Sequence, residues 1–154
     1  MKKFLLLLLS TITILLAQDK TAQVVYDLTT NNMETFERKI LKAIVANKAH
    51  YEASLSELDV VVVIHGDAYK FFTKNPLKSI YKEDKLLIES YKALSKRIKS
   101  MVENYDVEFL MCGAGMKKRE LKKSDIYKFV TIIPNSTIGL IDKQNEGYAY
   151  IPVN

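Results

Sequence analysis

Seven consecutive residues, Leu58-Asp59-Val60-Val61-Val62-Val63-Ile64, restrict the fold of this chain more than any others. Five of them, Val60 to Ile64, are β-branched and do not alternate with polar residues. A strand with one wet face would alternate. An unbroken run of this kind suits a strand covered on both faces, as in a parallel sheet. Parallel neighbours need long crossovers between them, and the rest of the chain supplies them. Ala22 to Leu28 reads as a strand, and Thr29-Thr30-Asn31-Asn32 as a turn that offers helix N-caps. Met33 to Ala53 reads as a helix, with Phe36, Ile40 and Ile44 spaced by four along one stripe. After the valine run come His65-Gly66-Asp67, a short irregular or helical piece from Ala68 to Phe72, and the breaker Asn75-Pro76.

Glu83 to Tyr105 reads as a long helix, with Leu87, Tyr91, Leu94, Ile98, Met101 and Tyr105 on one side. Val107 to Met111 is a third strand and Ala114 to Lys123 a short helix. Tyr127 to Ile133 is a fourth strand, stopped by Pro134-Asn135. Ser136 to Asn145 is a last helix, Gly147 its terminator, and Tyr148 to Pro152 a final strand. Strands and helices in alternation predict right-handed crossovers and an α/β fold, a parallel sheet with helices on both faces.

The N-terminus has another character. Lys2 and Lys3 precede thirteen uncharged, mostly apolar residues, Phe4 to Leu16, followed by Ala17. That stretch is too short for a comfortable bilayer span of about 20 residues. It reads as a cleavable secretory signal over residues 1–17, although Leu15 departs from the small-residue preference before the cut. Residues 18–154 then form one domain, exported to the periplasm, with no stable membrane insertion. Losing Lys2 and Lys3 lowers the formal charge from +5 to +3. This mild excess lies among glutamates and lacks the basic stripe of a nucleic-acid binder.

Cys112 is the single cysteine. An exported chain with one thiol closes no internal disulfide, which leaves an intermolecular partner, a reactive thiol or a buried inert one. The residue ends the third strand just before a helix, where the helix dipole and free N–H groups favour a thiolate. His65 ends the second strand as Cys112 ends the third. If those strands are neighbours, His65 is placed to take the thiol proton; the alternative is a histidine that only binds a loop carbonyl. His50 reads as surface. Gly113-Ala114-Gly115 has Lys118 where a dinucleotide fingerprint has its third glycine, and it lacks P-loop residues, so a tight turn explains it. Lys117, Lys118 and Arg119 are candidates to hold an anionic substrate or simply a wet helix face. Tyr148 and Tyr150 are read as lining a subunit contact or covering the sheet edge. Cys112, His65, Met111 and Met116 offer soft ligands for a cation such as Cu(I), but no metal-site spacing supports this.

The stretch Val107-Glu108-Phe109-Leu110-Met111-Cys112-Gly113-Ala114-Gly115-Met116 resembles the cysteine-bearing strand and helix of DsrE/DsrF-like proteins. Ile133-Pro134-Asn135-Ser136, the segment Leu140 to Tyr150 with its Gln-x-x-Gly-Tyr-Ala-Tyr motif, and Val60 to Gly66 are similar to the same family. The resemblance implies a three-layer α/β/α domain with a five-stranded parallel sheet and assembly into homo-oligomers. It also implies that Cys112 accepts sulfur as a persulfide. The best-known sulfur-relay members are cytoplasmic, so the resemblance does not by itself carry their usual partners over to an exported chain. The expectation is an exported sulfur carrier or sulfurtransferase-like protein with Cys112 as acceptor and His65 as proton acceptor. It needs no cofactor, and its partner is a sulfur donor or acceptor protein or a small sulfur compound. The alternative is a non-catalytic oligomeric or ligand-binding module of the same fold. A copper- or redox-handling protein using Cys112, His65 and Met116 is a third option.

Overall fold

The computed structural model describes residues 21–154; the expected signal over residues 1–17 lies outside them. Five strands, β1 (Thr21–Leu28), β2 (Glu57–Ile64), β3 (Val107–Cys112), β4 (Val130–Ile133) and β5 (Ala149–Val153), form one sheet in the order β4-β3-β2-β1-β5. Every pairing is parallel. The valine run lies in β2, between β1 and β3, and Val60 to Ile64 are all buried. The three-layer α/β/α architecture expected from the sequence is therefore present.

The strand order decides which helix covers which face. From β1 to β4 the chain steps in one direction across the sheet, and right-handed crossovers place those helices on one side. These are α1 (Met33–Phe36), a π-wound stretch Glu37–Lys42, α2 (Ala43–Ala53) and α3 (Lys85–Tyr105). From β4 the chain doubles back past three strands to reach β5. That reversal puts α5 (Ser136–Asn145), which contacts β1, β2 and β3, on the opposite side. A six-residue helix, α4 (Gly113–Lys118), follows β3 directly.

The first face carries the main core. Val24, Tyr26, Leu28, Val60, Val62, Ile64, Phe109 and Met111 point into it and meet Phe36, Ile40 and Ile44 from the first helical segment. Phe71 and Phe72 of a 3-10 turn, Ala68–Phe72, complete it: Phe36 stacks on Phe71 at 4.3 Å, and Phe72 meets Phe109 at 5.1 Å. Each fully buried phenylalanine contributes about 1.5–3 kcal/mol. The second face has a smaller cluster, Val25, Val61, Val63, Leu110 and Tyr148.

Several element boundaries differ from the sequence reading. The long helix begins at Lys85, because the Asp84 carboxylate caps it by accepting from the Leu87 N–H at 3.1 Å. The helix expected over Ala114 to Lys123 stops at Lys118, where Glu120 takes a left-handed conformation with φ 53°. The strand expected from Tyr127 begins only at Val130. A bridge between Thr73 and Ile126, and the Tyr127 N–H bond to the Phe72 carbonyl, hold the preceding residues on the 3-10 turn instead. Tyr148 precedes the last strand rather than joining it. Pro152 sits in β5, an edge strand that pairs with β1 alone, where a missing N–H is tolerated.

Candidate functional site

The carboxyl ends of the strands gather the chemistry-bearing residues. Cys112 is the last residue of β3 and the N-cap position of α4, and it is 7 % exposed. Pairing of Cys112 with Ile133 brings the start of α5 alongside it. Asn135 caps that helix by accepting from the Ile138 N–H at 2.9 Å. Burial opposes ionisation of the thiol. The Gly115 N–H, the Tyr69 hydroxyl, and the N–H and hydroxyl of Ser136 outweigh it, holding the Cys112 pKa below its ordinary value. The Tyr69 hydroxyl has one proton, and its geometry gives that proton to the Cys112 carbonyl at 2.7 Å. Its influence on the sulfur is therefore the weaker part of its role.

Gly115 and Tyr69 are matched. A Cβ at Gly115 would overlap the Tyr69 hydroxyl. The glycine pair in Gly113-Ala114-Gly115 is thus explained by close packing, since a Cβ at Gly113 would also press on the Ile133 carbonyl. Of the three cations after the cysteine, Lys117 and Lys118 are exposed. The Arg119 guanidinium lies 4.8 Å over the Tyr69 ring and 3.0 Å from the Asp67 carboxylate, so it is already engaged within the protein.

His65 follows β2 and keeps the sheet ladder, its N–H donating to the Leu28 carbonyl at 3.0 Å. Gly66, with φ 60° and a Cβ position that would strike Thr29, then turns the chain away. His65 Nε2 lies 2.5 Å from Asp27 Oδ1, and the other Asp27 oxygen accepts from the Tyr150 hydroxyl at 2.6 Å. Ile64 pairs with Met111, the last pair of the β2–β3 ladder, so His65 and Cys112 are the residues that follow it at adjacent strand ends. Ile64 and Met111 face the main core, and alternation turns His65 toward the second face, while Cys112 at the strand end still packs with the main core. The structure thus brings both residues to one edge, while the bonded partner of His65 is Asp27. Met111 is buried in the main core on the other side of the sheet. Among the described residues, no three His, Cys, Asp or Glu side chains group as a metal site.

Asp27 was missed by sequence reasoning. The available signal was a lone carboxylate inside the apolar strand Val24-Val25-Tyr26-Asp27-Leu28, where an unpaired charge would be costly. Asp59 in β2 gives the same signal and accepts from the Tyr148 hydroxyl. Tyr148 and Tyr150 therefore hydrogen-bond the half-buried Asp59 of β2 and the buried Asp27 of β1.

The sequence model of the DsrE/DsrF-like family matches residues 18–153. The chain belongs to the DsrE/DsrF-like family. An uncharacterised protein of Aquifex aeolicus (strain VF5) is 32 % identical over 92 residues, which cover 60 % of this chain and 39 % of that protein. The match thus spans about two-fifths of the relative's length. A solved structure of similar fold is MTH1491, a protein of unknown function from Methanobacterium thermoautotrophicum. It has a TM-score of 0.59 and 18 % identity, covering 85 % of this chain and 98 % of the other. That likeness extends to the fold alone.

Proposed function

We propose that this DsrE/DsrF-like protein is an exported sulfur carrier that accepts sulfane sulfur on Cys112. Family membership supports a sulfur-relay role. The observation that carries the reading is the setting of Cys112, where donors from the starts of two helices hold the thiol below its ordinary pKa. His65 takes the proton from Sγ. The thiolate attacks the outer sulfur of a polysulfide or thiosulfate, a new S–S bond forms, and the donor's own S–S bond breaks. The bond's electron pair leaves with the shortened polysulfide or with sulfite. Cys112 ends as a persulfide anion, and an acceptor thiolate reverses the step. Thiolate chemistry of this kind requires no cofactor. Export rests on Lys2, Lys3 and the apolar run Phe4 to Leu16, and N-terminal sequencing of the periplasmic form tests it.

Intact-mass measurement after incubation with polysulfide tests the carrier reading. The wild type gains mass in steps of one sulfur atom, and Cys112→Ala gains none. Equal gain in both, or gain in neither, overturns it. One observation favours a second reading, a binding module that has lost the chemistry: Cys112 is 7 % exposed. A native protein whose thiol resists alkylation until unfolded belongs to that second class.

A further inference from the structure

Tyr150, Asp27 and Cys112 stand on β5, β1 and β3, and His65 directly follows β2, which lies between β1 and β3. Register places Tyr150, Asp27 and His65 toward the second face. Tyr150 pairs with Val25 and Asp27 with Val63, and both valines belong to the second-face cluster. His65 lies two residues beyond Val63 of the same cluster; Cys112 ends β3 beside it, packed with the main core and bonded to Ser136 of α5. They form a row across the carboxyl edge of the sheet.

Asp27 is the part of the row that stability alone explains least. Its side chain is 13 % exposed, in a strand whose neighbours Val24, Val25, Tyr26 and Leu28 are all buried. Among the described residues, its one ion-pair partner is His65. A carboxylate there costs desolvation energy that an apolar residue would avoid. Its hydrogen bonds have a definite chemical consequence. A carboxylate only accepts, so the hydrogen shared with His65 sits on Nε2, and Nδ1 is left with the lone pair. The Tyr150 hydroxyl occupies the other oxygen and fixes the carboxylate plane. A nucleophile, a base and a group that orients the base is the general pattern of activated thiols.

We infer that Asp27, held by Tyr150, is a positioning residue that sets the tautomer and ring orientation of His65, so that His65 serves as the base for Cys112. This rests on the sulfur-carrier reading and adds two residues to it. The titratable groups around the row are Asp27 and Tyr150 on its far side, Cys112 on its near side, and Tyr69 and Arg119 from the connections above. Helix α5 contributes Ser136.

The test is the pH midpoint of Cys112 ionisation. It is read as thiolate ultraviolet absorbance against pH, with the Cys112→Ser profile subtracted in each background. Asp27→Asn keeps the shape and removes the charge. It raises the midpoint by about one pH unit, a tenfold loss of thiolate on the rising part of the curve. His65→Gln raises it at least as far. In the double variant Asp27→Asn/His65→Gln, the Asp27 change adds nothing, because its effect passes through the imidazole. A merely structural role would move stability and leave the midpoint in place. The inference is overturned if Asp27→Asn folds with an unchanged midpoint, or if its shift persists in the His65→Gln background. An unchanged midpoint in His65→Gln alone also overturns it, whether or not Asp27→Asn folds. The polysulfide mass test separates this from the underlying reading: sulfur loading by the wild type with no midpoint shift removes the row and keeps the carrier.

Discussion

The two faces of the sheet are built from the same five strands and divide the work between them. The first face is lined by Val24, Leu28, Val60, Val62, Ile64, Phe109 and Met111 and packs on two long helical segments. Tyr26 adds a hydroxyl that meets Asn47 at 3.3 Å. The second face is covered by α5, since one crossover runs in the reverse direction. On it stand Asp27, Asp59, His65 and Tyr150, interleaved with Val25, Val61, Val63 and Leu110, and Cys112 joins it at the sheet edge through Ser136 of α5. Strand alternation makes this separation cheap, because each strand serves a dry face and a chemical face with alternate residues. The lesson is that the thickly covered side supplies stability, while the thinly covered side holds the polar groups.

Substitutions on the two faces should therefore have different signatures. The largest effect is expected from Phe109→Ala, which removes a ring buried against Phe72. It lowers stability by about 3–5 kcal/mol, measured by denaturant unfolding, and leaves the ionisation midpoint of Cys112 in the folded fraction unchanged. A loss under about 1 kcal/mol would show that the first face is not the main store of stability.

Gly115→Ala comes next. The added methyl displaces the Tyr69 hydroxyl from beside Cys112. It costs about 1–3 kcal/mol through overpacking and, unlike Phe109→Ala, also raises the thiol midpoint. A variant as stable as wild type with the same midpoint would sever Tyr69 from the site.

Asp84→Ala is smaller. Burial pushes the Asp84 pKa up, but the Lys70 ammonium at 2.7 Å and the Leu87 N–H outweigh it and hold it below the ordinary carboxylate value. A lowered pKa means that its stabilisation is present above the unfolded-state value and is lost as pH falls through the folded one. Replacement costs about 1 kcal/mol at neutral pH. The difference between the two proteins should close on acidification, as followed by thermal unfolding. A gap that persists at low pH contradicts this assignment.

The smallest effect belongs to Tyr148. Burial, then its bond to Asp59, pushes its pKa up to about 12. A raised pKa contributes stability that is complete below the unfolded value of about 10 and is lost as pH rises through the folded one. Tyr148→Phe should lower stability slightly at neutral pH and flatten part of the alkaline loss, so that its gap to the wild type closes as pH rises. An identical alkaline slope in both proteins would remove Tyr148 from this role.

Most of the architecture was legible because it is written in local patterns. The unbroken run Val60 to Ile64 announces a strand with two dry faces, and Phe36, Ile40 and Ile44 announce a buried helical stripe; all are buried. The edges of elements were less legible. Tyr127 to Phe129 look like strand by composition, yet the long-range pairing of Ile126 with Thr73 takes that segment elsewhere. The candidate site was half legible. Cys112 and His65 stand out by residue type and by their place at strand ends. Asp27 acquires meaning from register, since His65 and Tyr150 come to it from residues 38 and 123 positions away. No local spacing encodes such a meeting.

The sulfur chemistry stands or falls on whether Cys112 in the folded protein is both ionised and open to reagent. The direct measurement is the rate of iodoacetamide labelling of the native protein as a function of pH, followed by mass spectrometry. Labelling confined to Cys112, with a midpoint below the ordinary thiol value of about 8.5, is the predicted result. A thiol that labels only after unfolding, or only above that value, would contradict it.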